Sequence, residues 1–126
     1  MSEAGKSAPT GPSGPAPPTL VSIDDLKKLN LRVGVVTAAT DHPNADRLLV
    51  LTVDVGDGTP RQLVAGIKGS YQASEVIGKP VVVVANMKPA TLRGVESQGM
   101  ILAASDESSI VLVTPERPIR PGSPVK

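Results

Sequence analysis

Apolar positions along the chain follow two periods. In Val21-Ser22-Ile23-Asp24-Asp25-Leu26-Lys27-Lys28-Leu29, the residues Ile23, Leu26 and Leu29 recur every third position, which puts them on one helical stripe. Ser22 ahead of that run is a preferred N-cap, Asp24 and Asp25 suit the positive helix start, and Val21 with Leu26 occupy hydrophobic-staple positions. The pattern predicts a short helix packed on the main body. From Leu31 the period drops to two: Leu31, Val33 and Val35 alternate with Arg32 and Gly34, and Leu49, Leu51, Val53 and Val55 alternate with Val50, Thr52 and Asp54. Such alternation predicts strands with one buried face.

Turn formers punctuate the rest. Residues 40–47, Thr-Asp-His-Pro-Asn-Ala-Asp-Arg, separate the first two strands, and Gly56-Asp57-Gly58-Thr59-Pro60 folds the second onto a third at residues 61–65. Residues 73–77 leave room for one or two helical turns before Gly78. The continuous run Val81-Val82-Val83-Val84-Ala85 is expected to be buried on both sides or curled across a barrel. Residues 86–99 read as a long polar loop, 100–104 as a fifth strand, 106–109 as a turn and 110–114 as a sixth strand. Pro115, Pro118, Pro121 and Pro124 keep the remaining segment out of any sheet interior.

Three strands, a short helix and two more strands is the order of an OB-fold, an all-β, five-stranded Greek-key barrel. To it the chain adds a short N-terminal helix and a C-terminal β extension. Such barrels take ligands on the face of strands two and three, and at the loops joining strands one to two and four to five. Those loops are residues 40–47 and 86–99.

Composition alters this picture in three ways. Tyr71 is the one aromatic residue among 126, so the core is aliphatic and nucleic-acid binding cannot rest on a row of stacking rings. The first 19 residues hold 5 Pro, 3 Gly and 3 Ser, which reads as a disordered tail or linker, leaving residues 20–126 as the domain. Zero Cys excludes disulfides and thiolate chemistry, and no apolar run approaches a bilayer span, so a cytoplasmic location is expected. Net charge is only +1, yet residues 61–95 carry five basic side chains (Arg61, Lys68, Lys79, Lys88, Arg93) against Glu75. Positive charge is therefore local.

Five stretches stand in a fixed order: Leu31-Arg32-Val33-Gly34, His42-Pro43-Asn44-Ala45-Asp46-Arg47-Leu48, Gln62-Leu63-Val64-Ala65-Gly66-Ile67, Val83-Val84-Ala85-Asn86-Met87-Lys88-Pro89, and Leu92-Arg93-Gly94-Val95-Glu96-Ser97-Gln98-Gly99-Met100-Ile101-Leu102. This series resembles the tRNA-binding domain found at the C-terminus of many methionyl-tRNA synthetases, in free-standing structure-specific tRNA-binding proteins and in endothelial-monocyte-activating polypeptide. The resemblance covers roughly residues 22–126. It implies a non-catalytic module that binds tRNA by structure and delivers or retains it in translation. Ser22 to Leu26 and the closing Pro121-Gly122-Ser123-Pro124-Val125-Lys126 look like the synthetase appendage, whose C-terminal extension takes part in a homodimer. A detached C-terminal or beta subunit of methionyl-tRNA synthetase, partnering a catalytic chain, is the alternative. A secretion-type chaperone on the same fold is a second.

The implied tRNA-binding residues are Asn44, Arg47, Lys68, Asn86, Lys88, Arg93, Ser97 and Met100. Lys88 and Arg93 flank the small residues Pro89-Ala90-Thr91, where two cations could displace counterions from phosphate; Arg93 could instead pair with Glu96. Asn44 and Arg47 offer donors to sugar or phosphate, or serve the turn. Lys68 stands near Tyr71 as a possible cation beside the one ring, while Tyr71 more often anchors packing. Asn86 and Ser97 could equally satisfy turn backbone, and Met100 could fill a core gap. His42 is a lone His before Pro43 and does not make a metal site. No nucleophile with a base, no phosphate-binding glycine loop and no paired carboxylates are readable. The reading is of a non-enzyme needing no cofactor and no metal.

Overall fold

The computed structural model describes residues 19–126; the proline-rich leader assigned above as a tail lies, apart from Thr19, outside the described residues. Ser22 caps helix α1 (Ile23–Lys27): its hydroxyl accepts from the Asp25 amide, and the Asp25 carboxylate accepts from the Ser22 amide, both at 3.1 Å. Two donors left open by the helix start are thereby satisfied. The helix does not pack its stripe on the barrel, contrary to expectation, since Ile23 is 71% exposed and Leu26 48%. Polar bonds anchor it instead. The Asn86 side chain accepts from the Asn30 amide at 2.8 Å and donates to the Lys28 carbonyl at 2.6 Å, gripping the chain just past the helix and leaving the apolar face outward.

Strand β1 (Leu31–Asp41) organises the barrel. Its first half pairs with β4 (Pro80–Val84) and its second half with β2 (Leu49–Asp54), with a register shift between Val36 and Ala38. That bulge bends the strand around the core. At Gly34 a Cβ would stand 2.6 Å from Val53 Cγ1, so β1 can curl this closely over β2 only without a side chain. The sheet order is β3-β2-β1-β4-β7, with β3 at Arg61–Ala65 and β7 at Met100–Ile101. Helix α2 (Ala73–Val76) links β3 to β4 and buries Val76. Leu49, Leu51, Val53, Leu63, Val76, Val81 and Val83 are fully buried, an aliphatic core assembled from period-two alternation in β2 and the continuous run in β4. The five-stranded OB-fold barrel is as expected, with the helix between its third and fourth strands.

Side chains close the ring between β3 and the segment before β7. The Gln98 amide donates to the Gln62 carbonyl at 2.7 Å, the Gln62 amide donates to Gln98 Oε1 at 3.0 Å, and Gln62 Nε2 donates to the Glu96 carbonyl at 2.8 Å. Deeper in, the buried Ser97 hydroxyl accepts from the Val64 amide at 3.0 Å and donates to the Gly99 carbonyl at 2.8 Å.

Two segments differ from expectation. Residues 86–99 are not merely a loop: β5 (Ala90–Leu92) and β6 (Val95–Ser97) form a hairpin. Its two turn residues, Arg93 at φ 54° and Gly94 at φ 91°, are both left-handed, as a type I′ turn requires. The fifth strand splits, since β8 (Ala103–Ser105) leaves the barrel after β7 to pair with β9 (Ile110–Leu112). The expected C-terminal β extension is β10 (Pro124–Val125), which pairs with Leu31 and Arg32 of β1, a short edge addition where a missing proline N–H is tolerated.

Ser97→Ala removes the acceptor of a buried amide without removing bulk. It is expected to cost about 1–3 kcal/mol in a urea melt, more than Ser108→Ala on the exposed 106–109 turn.

Candidate nucleic-acid interface

The 42–48 loop and the β5–β6 hairpin are joined by one buried side chain. His42 is 5% exposed, its Nδ1 accepts from the Asn44 amide at 2.9 Å, and its Nε2 donates to the Leu92 carbonyl at 2.9 Å. One ring nitrogen accepting and the other donating defines a neutral tautomer with its proton on Nε2. Beside it Asn44 Nδ2 donates to the Arg93 carbonyl at 3.2 Å, and Arg93 Nη2 donates to the Asn44 carbonyl at 3.4 Å. Arg93 therefore engages Asn44, not Glu96. Its left-handed backbone is strained for a non-glycine residue by roughly 1–2 kcal/mol, and the contacts from Asn44 hold it there.

Arg47 and Lys68 join the same cluster. The Lys68 amide donates to the Arg47 carbonyl at 3.3 Å, and Lys68 Nζ lies 3.3 Å from Asp41 Oδ2. Lys68 thus faces Asp41 and not the ring of Tyr71, whose hydroxyl accepts from the Leu112 amide at 3.1 Å while the ring packs on the core. Tyr71 is a packing anchor. Arg47 and Lys88 are exposed, and neither side chain makes an ion pair or hydrogen bond among the described residues. Met100 is 46% exposed and borders a hollow of about 200 Å³ lined by Val64, Ala65, Gly66, Ile67 and Ile101.

Of the eight expected site residues, the structure brings Asn44, Arg47, Lys68 and Arg93 around one loop. Lys88 lies in the irregular segment between β4 and the hairpin, and Met100 stands at the start of β7. Asn86 and Ser97 are engaged elsewhere, the first holding the end of α1 and the second closing the barrel. Sequence reasoning missed the latch role of His42, the countercharge from Asp41, and the Gln62–Gln98 pairing. A lone His before Pro is a weak signal, and nothing in local pattern links Gln62 to a partner 36 residues away.

In class, the molecule is an OB-fold barrel with exposed cations on its 42–48 and 86–99 loops and a small apolar hollow beside Met100. The chain belongs to the tRNA-binding domain family: residues 31–124 match the family model described as a putative tRNA binding domain. It is 50% identical over 106 residues to the methionine–tRNA ligase of Thermococcus kodakarensis, covering 84% of this chain and 14% of that protein. The corresponding enzyme of Methanococcus aeolicus is also 50% identical over 106 residues, with 84% of this chain and 16% of that protein covered. The chain thus spans only a small part of these relatives and corresponds to their C-terminal, non-catalytic region. Among solved structures it is similar to a MetRS related protein from Pyrococcus horikoshii, with TM-score 0.79, 32% identity and 86% and 99% of the two chains covered. It is also similar to the chaperone CsaA from Bacillus anthracis, with TM-score 0.78, 28% identity and coverage of 86% and 100%.

His42→Phe keeps an aromatic ring, somewhat larger than imidazole, and removes both hydrogen bonds. Expected is a stability loss of about 1–3 kcal/mol, with faster amide exchange at Asn44 and across residues 90–97 than in the barrel strands.

Proposed function

We propose that the chain is a structure-specific tRNA-binding module that delivers or retains tRNA in translation and works in the cytoplasm. Asn44, Arg47, Lys68, Lys88, Arg93 and Met100 form its contact surface, with Asn86 and Ser97 as positioning residues behind it. The observation that carries this reading is Arg93: a cation held in a strained left-handed turn where Gly or Asn would cost less, latched to a second expected contact residue, Asn44. Strain at an exposed cation has a reason if that cation serves a ligand. Arg47, Lys88 and Arg93 would meet phosphates and displace condensed counterions, and the hollow beside Met100 would take an apolar edge of sugar or base.

Kinship with methionine–tRNA ligases supports a module that supplies tRNA binding to a catalytic chain, whether appended to it or associated with it. The test is band shift with mixed tRNA against an unrelated single-stranded RNA across salt. Tighter binding to tRNA is expected; equal affinity for both, or none below about 10 μM at low salt, sinks the proposal. The double variant Lys88→Ala, Arg93→Asn should lower the salt slope by about two. Because Asn tolerates the left-handed turn, its melting temperature should be unchanged or higher, which separates lost contact from lost fold.

The proposal includes a homodimer through α1. Leu20, Val21, Ile23, Leu26 and Leu29 are exposed, and Ile23, Leu26, Leu29, Leu31 and Val125 line an apolar groove of about 440 Å³. A second copy would cover this face, and a small barrel without Phe or Trp gains stability from that burial. A peptide lying in the same groove is the chaperone reading, supported by the likeness to CsaA. Light scattering at about 10 μM should return the mass of two chains, and that of one for Leu26→Asp. A single-chain mass for the unaltered protein would remove the dimer from the proposal.

A further inference from the structure

A second concentration of positive charge lies away from the 42–48 loop. The hairpin joining β2 to β3, the start of β1 and the segment leading into β10 enclose a cleft of about 500 Å³ lined by Asn30, Arg32, Gly56, Asp57, Arg61, Arg120 and Gly122, among others. That volume is in the range of ligand pockets. The cleft lies at the far end of β2 from the 42–48 loop: Leu49 pairs with Asp41 beside that loop, whereas Asp54 pairs with Val35 and leads into Gly56. A six-residue strand separates them by about 17 Å.

The cleft is built from fixed parts. Arg32 Nε donates to Asn30 Oδ1 at 3.1 Å and its Nη1 donates to the Gly122 carbonyl at 2.9 Å. This orients the guanidinium and leaves Nη2 unengaged among the described residues. Arg61 Nη1 donates to the Ala85 carbonyl, and its Nη2 lies 3.6 Å from Asp57 Oδ2. The side chain of Arg120 has no hydrogen bond or ion pair among the described residues, although its carbonyl accepts from both the amide and hydroxyl of Ser123. At the base two backbones nearly touch. A Cβ on Gly56, at φ +82°, would collide with the Pro121 carbonyl and stand 2.9 Å from Gly122 Cα, so a side chain at Gly56 would prise the cleft apart.

Charge decides what such a cleft takes. Asp57 is held below the usual carboxylate range, first by the Thr59 amide and then by Arg61, so it stays ionised near neutrality and offsets one of three guanidiniums. Among the side chains that line the cleft two positive charges remain unbalanced, on planar forks whose geometry matches phosphate, while the nearby Asp54 carboxylate is engaged by the Gly56 amide. We propose that this cleft binds a phosphate group carried on a nucleotide, through Arg32, Arg61 and Arg120, as an anion site separate from the 42–48 loop. If the proposed function holds, the phosphate belongs to the tRNA backbone; a free nucleotide has the same chemistry.

The test uses the full chain, titrated with AMP and with inorganic phosphate at constant ionic strength and followed by amide NMR. Saturating shifts confined to residues 30–32, 55–61 and 120–124, with a midpoint of about 1–10 mM, are expected. Arg120→Ala, which removes no hydrogen bond or ion pair among the described residues, should raise that midpoint at least threefold. Shifts that never saturate, that spread over the whole surface, or that ignore Arg120→Ala overturn the proposal. A tRNA arm separates the sources. A roughly fivefold weakening of tRNA binding by Arg120→Ala, with a salt slope lower by about one, assigns the phosphate to RNA. Unchanged tRNA affinity with AMP binding intact assigns it to a free nucleotide. Saturable AMP binding by a chain that binds no tRNA would defeat the proposed function and leave the cleft assignment standing.

Discussion

Closure of the barrel along β3 is the constraint on which the rest depends. The outer edge of β3 presents backbone donors and acceptors at a depth where Val64 and Leu63 are buried, and an unpaired buried amide costs on the order of 1–3 kcal/mol. No long partner strand runs there, because β7 is only Met100–Ile101. Ser97, Gln98 and Gln62 supply the missing groups, with a hydroxyl and two side-chain amides completing what a strand would otherwise provide. Short strands and specific polar residues are therefore two sides of one solution.

What the seam fixes, the loop surface inherits. Holding residues 96–98 against β3 sets the root of the β5–β6 hairpin, and the hairpin carries Leu92 and Arg93 to the 42–48 loop. There His42 and Asn44 tie the two together through three hydrogen bonds, one to Leu92 and two to Arg93. A displacement at Ser97 would travel through this short hairpin to Arg93, about four residues away along a hydrogen-bonded pair. Stability and loop geometry are coupled through identifiable atoms, and no separate device is needed to position the cations.

The strands were legible because burial imposed a period on them. β2 buries every second residue and β4 buries four in succession, and both patterns stand openly in the sequence. The β5–β6 hairpin was hidden because each arm is three residues long and none of β5 is fully buried, so no alternation could develop. Six of the eight expected site residues could be grouped because they lie in the two OB-fold loops. Asn86 and Ser97 matched the family motif, yet their side chains are engaged by Asn30, Lys28, Val64 and Gly99. A motif marks what a fold must keep, and closure is as strong a reason to keep a residue as contact with a ligand. The outward face of α1 escaped prediction for a related reason, since an amphipathic stripe shows which side is apolar and says nothing about which body covers it.

The scarcity of aromatic residues takes a sharper meaning from the position of Tyr71. With the one ring packed on the core and its hydroxyl bonded to the Leu112 amide, no stacking platform is available to the proposed RNA surface, and affinity has to come from phosphate contacts. Arg47, Lys88 and Arg93, which have no ion pair among the described residues, give a salt slope of about −2.7 if each neutralises one phosphate, so a rise from 50 to 200 mM salt weakens binding by roughly 40-fold. One barrel alone would then hold RNA poorly at physiological ionic strength. A second copy, a tethered catalytic chain or the additional arginine cleft each raises the number of simultaneous contacts, and linked contacts multiply affinity without any one of them being strong. A module of this composition is therefore expected to act with something attached to it, and the exposed apolar face of α1 offers a place for that attachment.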